Sequence, residues 1–139
     1  MSEQPGLLYL DSSALVKLVL PEAETEALLA ALKDWPDRVA SELARVEVIR
    51  ASRRASDDPA VHQRAADVLA GVHLLQLDSE ILHRASELSP ALLRSLDAIH
   101  LASAVSIRSD VEAFAVYNGA LADAARRHGF QVIAPGQGG

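Results

Sequence analysis

At 139 residues the chain is long enough for one domain with a single core and too short to expect two. Half of its residues are hydrophobic, which excludes global disorder, and the absence of cysteine excludes disulfides, thiol catalysis and thiolate metal sites. A formal net charge of −6 argues against broad nonspecific attraction to nucleic acid, so any such binding must be local.

Met1 to Gly6 has neither a basic region nor an apolar one and does not read as a signal peptide. Leu7-Leu8-Tyr9-Leu10 reads as a buried strand ending in Asp11. Ser12 or Ser13 can then cap a helix to Leu20, stopped by Pro21. A carboxylate between an opening strand and a helix N-terminus sits where open α/β sheets place their ligands. Glu24 to Lys33 carries a helical apolar stripe, and Arg38-Val39-Ala40 is a very short second strand. Ser41 caps a helix to about Ser56, and after the break at Asp57-Asp58-Pro59 a further helix spans Ala60 to Ala70.

His73 to Leu77 is expected as the third strand, and Asp78 caps a helix over Ser79 to Leu88, ended by Ser89-Pro90. Leu93 to Ile107 is the most apolar helix; Glu112 to Tyr117 is the fourth strand. Gly119 to His128 is a helix ended by Gly129, and Phe130 to Ala134 is the fifth strand. Strands alternating with helices predict a parallel five-stranded sheet with helices on both faces, in one domain over 1–139 whose ends, 1–5 and 136–139, are loose. No apolar run reaches a membrane span, because Asp11, Lys17, Glu47, Asp97 and His100 interrupt the best candidates. With no cysteine present, a cytoplasmic location fits.

Three acids invite a common explanation. Glu47 and Asp97 stand, like Asp11, in apolar surroundings where a lone carboxylate is costly to desolvate, and a divalent cation would account for all three. Locally, an i,i+3 ion pair with Arg50 explains Glu47 as well. Asp97 must be capped, paired or metal-bound if the helix around it is central. His100, one turn from Asp97, reads as a satisfied core residue outside the site, and the other histidines show no ligand spacing. A receiver domain would need paired acids after the first strand and a late Lys, and an aspartate-nucleophile phosphatase a second Asp where Ser13 stands.

Four segments in order resemble the PIN-domain ribonucleases, most closely the VapC toxins of toxin–antitoxin modules. They are Leu10-Asp11-Ser12-Ser13-Ala14-Leu15-Val16-Lys17, Ser41 through Arg50-Ala51, Leu96-Asp97-Ala98-Ile99-His100-Leu101-Ala102-Ser103-Ala104, and Val116-Tyr117-Asn118 with Leu121 to Ala125 and the ending Gly129 to Gly136. The resemblance implies a PIN-like fold in which Asp11, Glu47 and Asp97 are catalytic and, with Asn118, hold Mg²⁺ or Mn²⁺. The ion would contact a scissile phosphate oxygen, activate water and stabilise the departing O3′, leaving a 5′-phosphate. Ser13 and Ser41 would orient carboxylates or waters, their other role being helix caps. The resemblance further implies a tRNA or ribosomal RNA substrate, a VapB-like antitoxin partner and a homodimer. Arg50, Arg53 and Arg54 are candidates for RNA contact, although a charge run also serves as a solvated face. Asn118 departs from the family's usual Asp, which puts a second metal in question; Asn118-Gly119 is also a strong turn signal. The alternative reading is a PIN-like module of weak catalysis that docks RNA or protein.

Overall fold

The computed structural model describes residues 6–137. Five strands, β1 (Leu7–Leu10), β2 (Arg38–Ser41), β3 (His73–Leu75), β4 (Val111–Ala115) and β5 (Val132–Ile133), form one parallel sheet in the order β3-β2-β1-β4-β5. The order reverses at β1, so a crevice opens above the carboxyl ends of β1 and β4, the usual place for a ligand in this architecture.

The strands read as near-continuous apolar runs because both sheet faces are covered. Their two-residue period separates two cores. Leu8 and Leu10 of β1 and Ala113 and Ala115 of β4 face a layer built by α1 (Ser12–Val19), α2 (Thr25–Leu32), α3 (Leu43–Ala55) and α4 (Pro59–Ala70). Tyr9, Val39, Phe114 and Val116 face the opposite layer of α6 (Ser95–Ser106) and α7 (Gly119–Arg127), with α5 (Ser79–Glu87) lying on α6. Tyr9 and Phe114 stack at 4.8 Å between ring centroids within this second core.

The differences from the sequence reading are local. β3 spans three residues and β5 two, where five were expected of each, since an edge strand is regular only where its neighbour offers a ladder. β4 ends at Ala115 rather than Tyr117, and α6 starts at Ser95 rather than Leu93. Ser41 closes β2 instead of standing outside it, and α3 begins two residues later. At the end of α7, Gly129 adopts φ +88°, letting the Phe130 N–H reach Ala125 O at 3.0 Å; a side chain there would be strained. Of the ends expected to be loose, 1–5 and 138–139 lie outside the described residues, and Gly136 and Gln137 sit in a turn against α2.

Candidate active site

Asp11 continues the β1 ladder by one bond, its N–H donating to Ala115 O at 3.2 Å, and then caps α1 by accepting from the Ala14 N–H through Oδ1 at 3.3 Å. The expected capping by Ser12 or Ser13 is thus corrected: both lie in the first turn, and the carboxylate takes the cap because it also complements the helix dipole. Ser13 Oγ donates to Asp11 Oδ1 at 2.6 Å and accepts from the Tyr117 N–H at 2.9 Å, tying β1 to the end of β4. Tyr117 is itself held by Lys17, 4.7 Å from its ring centroid, and by a hydrogen bond to Pro135 O.

Asp11 is 3 % exposed, and burial pushes its carboxyl above the ordinary range, offset in part by Ser13, His100 and backbone N–H groups. A folded-state pKa above the unfolded value means that the stability linked to this group is present below the unfolded pKa and lost as pH rises through the folded one. At neutral pH, above the unfolded pKa, this group therefore weakens the metal-free fold. Asp11→Asn is expected to raise the melting temperature of metal-free protein at pH 7 by about 4 °C, roughly 1 kcal/mol, with the gap closing in acid and on addition of Mn²⁺ to wild type. Differential scanning calorimetry checks this; an equal or lower melting temperature would contradict it.

Glu47 does not pair with Arg50. Its Oε1 accepts from Ser12 Oγ at 2.6 Å and lies 2.6 Å from His100 Nε2. α3 and α6 lie in opposite layers, so this contact closes over the carboxyl end of the sheet. His100 is 2 % exposed, and its Nδ1 stands 3.4 Å from the Tyr9 hydroxyl. Placing His100 outside the site is therefore corrected, and Ser12, read from the sequence only as a candidate helix cap, joins it. Burial raises the Glu47 carboxyl, but the hydrogen bonds from His100 and Ser12 and the attraction of His100 outweigh it and hold the group below its usual range. Burial and then the charge of Asp11, with a smaller contribution from Glu47, push the Tyr9 phenol far up, so both acids act on one buried side chain.

Asp97 lies in the first turn of α6, on the same face as His100, and makes no capping bond. Its Oδ2 instead accepts from Asn118 Nδ2 at 3.2 Å. Asn118 is the N-cap of α7: Oδ1 accepts from Ala120 and Leu121 at 3.0 and 3.3 Å. The oxygen expected to serve as a ligand is thus committed to the helix, and the amide nitrogen faces the acid. Ser41 is fully buried and its Oγ accepts from the Leu43 N–H at 3.1 Å, a capping contact that does not reach the acids. Arg50, Arg53 and Arg54 are exposed on α3 beyond Glu47 and, among the described residues, make no ion pair. Asp123 points away, paired with Arg126.

The donor set suits a hard cation. Asp11 Oδ2, Glu47 Oε2 and Asp97 Oδ1 accept no hydrogen bond of ordinary geometry among the described residues, although their partner oxygens are held. Among those residues no three His, Asp or Glu side chains stand close enough to enclose an ion unaided. Oxygen donors that need water to complete a shell fit Mg²⁺ or Mn²⁺, which commonly use one or two carboxylates, and do not fit a closed zinc cage.

The sequence matches the PIN domain family over residues 8–127. It is 43 % identical over 128 residues to ribonuclease VapC46 of Mycobacterium tuberculosis (strain ATCC 25618 / H37Rv), covering 92 % of this chain and 97 % of that one. Ribonuclease VapC47 of Mycobacterium tuberculosis (strain CDC 1551 / Oshkosh) is 38 % identical over 134 residues, covering 94 % and 98 %. The fold superposes with a TM-score of 0.70 on the crystal structure of Mycobacterium tuberculosis VapC20, described as a sarcin-ricin loop cleaving toxin, at 16 % identity over 92 % of this chain and 99 % of that one.

Proposed function

This chain belongs to the PIN-domain family as a VapC-type ribonuclease toxin, and we propose that it is a Mg²⁺- or Mn²⁺-dependent endoribonuclease acting in the cytoplasm on structured RNA, a tRNA or ribosomal RNA. The observation that carries the proposal is that Asp11 after β1, Glu47 on α3 and Asp97 in the first turn of α6 each have one oxygen held by a protein donor and one left free.

When bound, the divalent ion supplies Lewis acidity toward a phosphate oxygen and acidifies water. Asp11, fixed by Ser13 and the first turn of α1, would hold that ion. Glu47, braced by Ser12 and His100, presents Oε2 from the α3 side, and Asp97 presents Oδ1 from α6. Asn118 orients Asp97 through its amide rather than contributing an oxygen. Arg50 and Arg54 share one side of α3 with Glu47 and offer phosphate contacts along the RNA on either side of the cut, with Arg53 further round the helix.

The test is cleavage of total cellular RNA with mapping of the new 5′-ends. Loss of cleavage in EDTA and its return with Mn²⁺ are expected; EDTA-resistant cleavage would remove the metal from the mechanism. Asn118, which ties up one Asp97 oxygen, favours a second reading, an RNA- or protein-docking module of weak catalysis. RNA binding without new ends under saturating Mn²⁺ would select it.

A VapB-like antitoxin is the proposed partner, and a homodimer the proposed assembly. The formal charge of −6 suits a basic antitoxin segment. Expression alone is expected to arrest growth, and co-expression of the adjacent small reading frame to relieve it with copurification of the two chains. Neither rescue nor copurification would reject the toxin reading.

A further inference from the structure

We infer that His100 is a positioning residue that locks Glu47 into the site, acting through the Nε2 contact to Glu47 Oε1 and supported from below by Tyr9. The inference rests on the reading of Glu47 as a metal ligand. His100 is the sole imidazole, among the described residues, within hydrogen-bond reach of any of the three acids.

A glutamate has three side-chain torsions, and Glu47 sits on an outer helix with a quarter of its side chain exposed, 27 %. Left alone it has an easy alternative, the exposed Arg50 one turn along, which would draw the carboxylate away from Asp11. Two donors on one oxygen decide against that swing: Ser12 Oγ and His100 Nε2, both at 2.6 Å. Since an ionised carboxylate only accepts, Nε2 must carry a hydrogen. On its other side the ring turns Nδ1 toward the Tyr9 hydroxyl, 3.4 Å away, a phenol that burial pushes far up and so keeps protonated. The chain Tyr9 to His100 to Glu47 runs from the second core, between the layers, to the crevice. It leaves Oε2 free and aimed by a ring that is itself fixed by packing, as partners of metal-binding carboxylates commonly are.

Two amide variants separate positioning from packing, because both keep a polar, core-sized side chain. His100→Gln places its amide nitrogen near the old Nε2 and can still donate to Glu47. His100→Asn reaches the old Nδ1 position, facing Tyr9, and falls short of the carboxylate. Isothermal titration with Mn²⁺ in the absence of RNA is expected to show a loss of about 10- to 100-fold for His100→Asn and near wild-type affinity for His100→Gln. Glu47→Gln is measured alongside. If it binds weakly while both His100 variants bind as wild type, or if both His100 variants weaken equally, His100 is core packing and the inference falls. If Glu47→Gln itself binds as wild type, the ligand reading of Glu47 falls, and the inference with it. Nitrogen NMR of the metal-free protein gives an independent readout: a hydrogen on Nε2 protected from exchange supports the contact, and a ring protonated at Nδ1 alone overturns it.

Discussion

Asp97→Asn is expected to lower RNA cleavage by at least about 100-fold, beyond the range typical of residues that act only through a ligand. The reason is polarity as well as charge. Asn118 Nδ2 donates to Asp97 Oδ2, so an amide at position 97 turns its oxygen toward that donor and its NH2 toward the place where Oδ1 now stands. The cation would then meet a donor group instead of a carboxylate oxygen. The fold should be indifferent, because Asp97 makes no capping bond and α6 is anchored by Leu101, Ala102 and Ala104, all fully buried. Asp123→Asn is the control, since that carboxylate is 77 % exposed and paired with Arg126 outside the crevice. Initial rates on a labelled RNA at saturating Mn²⁺, with circular dichroism to verify folding, decide the matter. Cleavage within about threefold of wild type, a difference well under 1 kcal/mol in the barrier, would remove Asp97 from the site.

The fold was legible because its two periodicities are strong. β1 and β4 are apolar on both faces, and α1, α3 and α7 carry single stripes, so strand and helix identities follow directly from the pattern. What the pattern lacks is the partner. The apolar run His73 to Leu77 does not say that β2 ends its ladder opposite Leu75, and Phe130 to Ala134 does not say that β4 offers only Phe114 and Ala115. Strand length at a sheet edge is a property of the neighbour.

The same limit governs the site. Asp11 was visible from its position alone, at the end of the strand where the sheet order reverses, and Asp97 from the apolar helix around it. The partner of Glu47 was not visible: Arg50 is three residues away, His100 fifty-three, and local spacing favours the nearer. Burial reverses that preference, because a bond to a ring that is 2 % exposed is less screened than one to a solvated guanidinium. One signal was available: His100 follows Asp97 by one helical turn, so any crevice that receives the acid also receives the ring. Ser12 carried no such signal, since its role depends on α3 crossing above it.

Asn118→Asp should destabilise the metal-free protein and tighten Mn²⁺ binding. The substitution keeps the α7 cap, because Asp accepts from the Ala120 and Leu121 N–H groups as Asn does and adds a favourable charge at the helix N-terminus. It also replaces the donor that faces Asp97 Oδ2 at 3.2 Å by a second acceptor, so two carboxylates confront one another. Such a pair resists double ionisation, and one of its protons is held to higher pH. The cap gain is a few tenths of a kcal/mol, whereas a lost charge-assisted bond and a close like-charge pair cost more, so a fall in melting temperature of several degrees is expected at pH 7 without metal. The deficit should vanish in acid, where the pair is neutral. A cation between the two carboxylates reverses the sign of the interaction, and a gain of about tenfold in Mn²⁺ affinity, roughly 1.4 kcal/mol, is expected by isothermal titration. Calorimetric melts with and without Mn²⁺ complete the measurement. Unchanged melting temperature together with unchanged Mn²⁺ affinity would mean that position 118 serves α7 alone and that Asp97 needs no partner to hold its place.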